Sequence, residues 1–120
     1  MKEQTFRSKV RGVAQKNQDG NERQKYISSY CKPGMDLVLK REPTNPHDRN
    51  AIGVWVVAKM LFLPKTVQIG YLGAEVAKEL APVIDNNGEV TAKITEVTGG
   101  TKDKRERGVN IEISVKPAKK

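Results

Sequence analysis

The sequence has one cysteine, Cys31, one histidine, His47, and only 5% aromatic residues. A lone cysteine cannot close an internal disulfide or build a cysteine-based metal cluster, and it fits a reducing compartment. A lone histidine excludes a two-histidine metal site and the HExxH helix of zinc hydrolases. The phosphate-cradling patterns GxxxxGK[ST] and GxGxxG are missing as well. Long apolar runs are absent: the longest, Ala51 to Ala58, is far shorter than the ~20 residues that cross a bilayer. Met1 is followed by Lys2, Glu3 and Gln4 and then by a strand-like segment, with no apolar signal-peptide core, which predicts a cytoplasmic protein with no membrane partner. These absences point away from catalysis and predict a binding module that needs no cofactor and no metal. Cys31 with His47 is a candidate nucleophile pair. At a helix end among apolar neighbours, however, Cys31 reads as a small core residue. Gly99-Gly100-Thr101-Lys102 looks phosphate-like, but it lies between two strands and lacks the helix N-terminus such sites use.

What the chain has in excess is positive charge. Lysine and arginine number 22 against 14 acids in 120 residues, a formal net charge of +8. A domain this basic attracts polyanions, nucleic acid first, with membrane surfaces and acidic proteins as competitors. The length predicts a single domain over residues 1–116, followed by a basic tail, 117–120.

Hydrophobic periodicity supplies the elements. From Thr5 to Ala14, Phe6, Ser8, Val10 and Gly12 share one face, and Arg7, Lys9 and Arg11 share the other, as in a half-buried strand. After the polar run Gln15 to Gly20, Asn21 reads as an N-cap, with Gln24 completing a capping box. Ile27, Tyr30 and Cys31 then lie on one helical face, and Lys32-Pro33-Gly34 ends the helix. Asp36 to Glu42 alternates with Leu37 and Leu39 inward. Ala51 to Ala58 is β-branched and aromatic. Met60 to Lys65 interrupts, and Thr66 to Leu72 is a further strand. Ala74 to Asn86 has helical spacing, with Pro82 expected to kink or break it. Glu89 to Thr98 alternates, Gly99 to Gly108 is a charged loop, and Val109 to Lys116 is a last strand. The order β-α-β-β-β-α-β-β, mostly β with two short helices, predicts a small OB-like barrel, because closure removes exposed edges. An open α+β sheet is the alternative. The predicted core is Val10, Leu37, Leu39, Ile52, Val54, Ile69, Val90, Ile94, Ile111 and Ile113.

The most informative segment is Arg41-Glu42-Pro43-Thr44-Asn45-Pro46-His47-Asp48-Arg49-Asn50-Ala51-Ile52. Pro46 pushes Asn45 out of helical backbone, and Asn and Asp bond nearby backbone groups to fix a compact turn. That role is structural. The functional reading is that Asn45, His47 and Asp48 project from a rigid turn as a polar pocket.

This run resembles the HIRAN domain, a small module found alone in bacteria and phages and attached to chromatin-remodelling helicases in eukaryotes. The similarity continues through Ile69-Gly70-Tyr71-Leu72, the following helix and the glycine pair after the next strand. Val10 to Ala14 fits the family's opening strand, and Asn21 to Lys25 is similar to the stand-alone form. The resemblance implies a modified OB-like barrel and, from the helicase-attached members, a pocket for the 3′ end of single-stranded DNA. Asn45 and Asp48 occupy the positions that reach the terminal nucleotide there. The end-binding members carry aromatics on the first strand and before the Asp; this sequence has Ser8, Lys9, Val10 and Arg11, and His47. Stacking on aromatics is worth about 1–3 kcal/mol per base, so these departures weaken the grip on a base.

The leading expectation is therefore a nucleic-acid-binding module favouring single-stranded DNA with a 3′ hydroxyl. Arg7, Lys9 and Arg11 lie about 7 Å apart on one strand face, near the spacing of phosphates along an extended strand. The expected contact residues are Arg7, Lys9, Arg11, Arg41, Asn45, His47 and Asp48. Lys102, Lys104, Arg105 and Arg107 are candidates to extend the basic surface. The alternative is a protein-interaction or homodimerisation domain that uses Met60-Leu61-Phe62-Leu63-Pro64, which is more apolar than a strand connection requires.

Overall fold

The computed structural model describes residues 2–59 and 62–118. Eight elements follow in the order β1 (Gln4–Arg11), α1 (Arg23–Tyr30), β2 (Asp36–Arg41), β3 (Ile52–Lys59), β4 (Pro64–Leu72), α2 (Ala74–Asp85), β5 (Glu89–Thr98) and β6 (Gly108–Lys116). The strands close into a barrel, β1-β4-β3-β2-β5-β6, with every pairing antiparallel. The expected mostly β barrel is thus present. The open sheet is excluded, because β1 bonds to β6 on one side and to β4 on the other.

Period-two alternation places one side chain in two inside the barrel. Val10, Leu37, Ile52, Val54, Ile69, Ile94, Ile111 and Ile113 are buried as predicted, and Ile27 of α1 and Leu80 of α2 join the same cluster. Leu39 and Val90 are only partly buried and pack against its edge.

Several local expectations are corrected. The first strand stops at Arg11 rather than Ala14, because Gly12 takes a positive φ of 72° and turns the chain away. The capping box is not formed. The N-cap of α1 is Glu22, without a side-chain cap. Gln24 instead reaches across the structure, donating to the carbonyls of Val13 and Arg107 and accepting from the Arg107 N–H. Cys31 lies just past the helix as its C-cap, bonding back to Ile27. Pro82 does not break α2, which runs in one piece to Asp85. It sits in the last turn at an exposed position, and the residue whose carbonyl it leaves without a donor, Lys78, is exposed as well. The interruption expected over Met60 to Lys65 is shorter, since β4 begins at Pro64, opposite Lys59. Met60 and Leu61 of the predicted apolar segment lie outside the described residues, as do the last two residues of the predicted tail.

The closing seam between β1 and β4 is short. It consists of Val10 opposite Leu72 and Arg11 opposite Tyr71. A side chain at Gly70 would stand 2.3 Å from the Arg11 carbonyl oxygen and 2.6 Å from the Val10 side chain. The seam therefore closes only because Gly70 is bare.

Two measurements test this architecture. Gly70→Ala must push β1 away from β4, at the ~1–3 kcal/mol typical of overpacking. Its denaturation midpoint should fall, and the Arg11 and Leu72 amides should lose hydrogen-exchange protection before those of β5. Unchanged protection would show that the seam tolerates the methyl group. The second concerns Cys31, whose thiol is pushed by burial from 9.0 to about 11. The folded state favours the neutral thiol, so this stabilisation is complete below 9.0 and is lost as pH rises through about 11. Across that window the stability of Cys31→Ala should fall less steeply than that of the parent protein. Parallel curves would contradict the assignment.

Candidate nucleic-acid interface

The turn between β2 and β3 is built by its own polar side chains. Asn45 Oδ1 accepts the backbone N–H groups of His47 at 2.8 Å and Asp48 at 3.2 Å. Its Nδ2 donates to Glu42 Oε1 at 2.9 Å. Asp48 Oδ1 accepts the Asn50 N–H at 2.8 Å, and the second carboxylate oxygen has no protein partner among the described residues. The base of the turn is clamped by Glu42 N–H to the Ala51 carbonyl and Ala51 N–H to the Asp48 carbonyl. Asn45 is thus largely occupied in shaping the turn, whereas Asp48 is half-buried with one oxygen left over and the His47 side chain is exposed.

A recess of about 300 Å³ opens beside this turn, lined by Asn45, His47, Asp48, Arg23, Tyr71 and the start of α2. Arg23 and Tyr71 are the residues that sequence reasoning missed here. Arg23 is only 5% exposed. Its Nε donates to Asn17 Oδ1 at 2.7 Å and its Nη1 to the Gly12 carbonyl at 2.9 Å, and its guanidinium lies 5.4 Å from the centre of the Tyr71 ring. Burial pulls the Arg23 pKa down, and Tyr71 and Glu42 pull it back up. Tyr71 in turn donates its hydroxyl to Glu42 Oε1 at 2.9 Å, the oxygen that holds Asn45. One polar chain therefore runs from the loop after β1, through Arg23 and Tyr71, to Glu42 and the turn. The sequence carried one signal of it: Tyr71 stands in the Ile69-Gly70-Tyr71-Leu72 run. Nothing in the period of α1 marks its first residue, Arg23, as buried.

The other predicted contact residues divide. Arg7, Lys9 and Arg11 are exposed on the outer face of β1, and no ion pair engages them among the described residues. Arg11 packs beside Gly73 at the head of α2, next to the recess, and Lys9 and Arg7 lead away from it. Arg41 is elsewhere engaged. It makes two 3.0 Å hydrogen bonds to the Asp85 carboxylate and one of 2.9 Å to the Ala51 carbonyl, joining the end of β2 to the end of α2. The bonded Arg41 guanidinium lowers the Asp85 pKa. The Gly99 to Lys102 loop closes as a turn, with Thr101 and Lys104 bonding each other.

Burial pushes the Cys31 thiol up to about 11, away from the reactive thiolate. Among the described residues, no three His, Cys, Asp or Glu side chains converge on a possible metal ion. No described helix is long and apolar enough to cross a membrane.

Comparison with known proteins agrees with this geometry. The chain is similar in fold to the HIRAN domain of human HLTF, with a TM-score of 0.62 and 19% identity over 96% of this chain and 77% of that one. It is also similar to a Lactobacillus plantarum protein solved by structural genomics, with a TM-score of 0.59 and 16% identity over 93% of this chain and 98% of that one. No curated protein sequence matches the chain. The family model of the HIRAN domain, a nucleic-acid-binding and not itself catalytic module, matches residues 6–116. With the fold and the sequence in accord, the chain belongs to the HIRAN domain family.

Proposed function

We propose that this protein binds single-stranded DNA and prefers a free 3′ hydroxyl. The observation that carries the reading is the half-buried Asp48, with one oxygen tied to the turn and the other without a protein partner in a recess shared with Arg23 and Tyr71. A carboxylate only accepts hydrogen bonds, so it takes the proton of a terminal hydroxyl and repels a terminal phosphate. Asn45 acts mainly by fixing the turn. The exposed His47 ring packs on the last base, and Tyr71 offers a second aromatic surface, which residues 8–11 of the first strand do not provide. The preceding phosphates run along Arg11, Lys9 and Arg7, which β1 presents in a row beginning at the recess. Arg41 supports the base of the turn through the Ala51 carbonyl and ties it to α2 through Asp85.

A second reading keeps one specific observation in its favour. At the tip of the β3–β4 hairpin, Phe62 is 89% and Leu63 76% exposed. Adjacent exposed apolar side chains of this size suit a protein partner or a second copy of the chain.

Two experiments decide between these readings. For DNA, one labelled oligonucleotide is titrated with a 3′ hydroxyl and again with a 3′ phosphate. The hydroxyl form should bind more tightly, and Asp48→Ala should erase the difference. With about three phosphate contacts, log K should fall against log salt with a slope near −2, and Lys9→Ala should flatten it. Equal affinity for the two ends would sink end recognition. For self-association, Phe62→Ser combined with Leu63→Ser should lower the apparent mass in sedimentation. A parent protein that stays monomeric at high concentration would remove the dimer.

A further inference from the structure

We infer that a second recess, on the opposite side of the Arg23–Tyr71 pair, is a nucleotide site that takes a base deep and its phosphate at the mouth. The inference rests on the nucleic-acid reading for its class of ligand and adds a second place where that ligand is held. The recess has a volume of about 440 Å³ and lies between the loop after β1, α1 and the outer faces of β3 and β4. That size is within the range of small-molecule sites.

The polar groups of its wall are incompletely matched. Among the described residues, Glu42 Oε1 is used twice, by Asn45 and Tyr71, and Oε2 has no partner. Arg23 engages Nε and Nη1 and, among the same residues, leaves Nη2 without one. The indole N–H of Trp55 is buried and has no hydrogen-bond partner among them. Buried polar groups are nearly always paired, so leftover groups on one recess call for a ligand. They also converge. A side chain at Gly53 would meet Trp55 Nε1 at 2.8 Å, Glu42 Oε2 at 3.0 Å and Gln68 Nε2 at 3.3 Å. The Glu42 acceptor thus stands near the indole N–H, with the Gln68 amide, which already donates to the Gly70 carbonyl at 3.1 Å, beside them.

This pattern selects the ligand. An anion is repelled by Glu42 if it goes deep, and an apolar group would leave the donors and the acceptor unpaired. A nucleobase edge sets donors beside acceptors and is neutral. Tyr26 and Tyr71 supply aromatic surface for its ring. At the mouth, the exposed Lys16 and Lys65 suit a phosphate and outnumber the one acid there, Asp19, whose carboxylate is bonded to the Asn21 N–H. Gly53 contributes by its lack of a side chain, which leaves room for the Trp55 Nε1 edge, and the Lys40 ammonium lies 4.1 Å from the indole ring centre.

Trp55 is the only tryptophan in the chain, so its indole signal reports on this wall alone. The 120-residue chain is titrated with each of the four 5′-mononucleotides, with ribose 5-phosphate, and with the labelled 3′-hydroxyl oligonucleotide. The indole N–H resonance and tryptophan fluorescence are followed throughout, and oligonucleotide binding is read separately from the label. A mononucleotide or the oligonucleotide should shift the indole signal saturably, and ribose 5-phosphate should not. A shift with mononucleotides alone marks a site for free nucleotides; a shift with the oligonucleotide marks a site for a base within a strand. Replacing Lys16 and Lys65 together by Ala should weaken the response about fivefold, as the loss of two exposed charge contacts would. An indole signal that none of these ligands moves overturns the inference. If the label still reports oligonucleotide binding, the end-reading proposal survives that failure; if it does not, both fall. A response to mononucleotides without oligonucleotide binding keeps the recess and discards DNA as the ligand.

Discussion

Burial of the Arg23 guanidinium is the constraint on which the functional face depends. No carboxylate lies within ion-pair distance of it among the described residues. Its charge is met by the Gly12 carbonyl, the Asn17 amide oxygen and the face of Tyr71. Taking a cation out of water costs several kcal/mol unless its hydrogen bonds are remade, so each of these partners is required in place. The carbonyl of Gly12 is available because the chain turns there with positive φ. Asn17 is itself pinned to β4, donating to the Gln68 carbonyl at 2.9 Å. The loop after β1 is thereby fastened down by its polar groups, with little apolar surface to hold it. Both recesses owe their shared wall to that fastening.

The turn after β2 shows how structural and binding roles divide between neighbouring residues. Asn45 uses its side-chain oxygen and one amide proton inside the turn. That expenditure orients the backbone so that the adjacent Asp48 retains free acceptor capacity. Glu42 does the same at the other end, spending one oxygen on Asn45 and Tyr71 and keeping the second. In the first case one residue's bonds hold its neighbour's free atom in place; in the second, one oxygen of a carboxylate is bonded and so holds the other in place.

How much of this was legible in the sequence follows from the range of the forces involved. The strands and most of the core were, because alternation is local and a buried face admits few exceptions. The Asn45 to Asp48 turn was, because proline and Asx chemistry act within a few residues. Arg41 read as one more basic residue, since its partner Asp85 lies 44 positions away. Gln24 fitted a capping box by spacing, yet its amide serves Arg107, 83 positions on. Arg23 and Tyr71 meet only because the barrel closes. Pro82 was read by its general effect on helices, and its place in the final turn is what spares α2.

The pairing of β1 with β6 has a consequence for how the chain acquires its fold. Gln4 stands opposite Val115, so the first strand's longest partner is also the last to be made. Contacts between such distant segments are reached late and slow the search. During synthesis β1 must wait, its edge toward β6 unpaired, while the four strands between accumulate. Arg7 and Lys9 on that waiting strand are well placed to keep it from joining another chain, because charged residues on open edges discourage intermolecular pairing. The basic row would then protect the nascent protein before it meets any ligand.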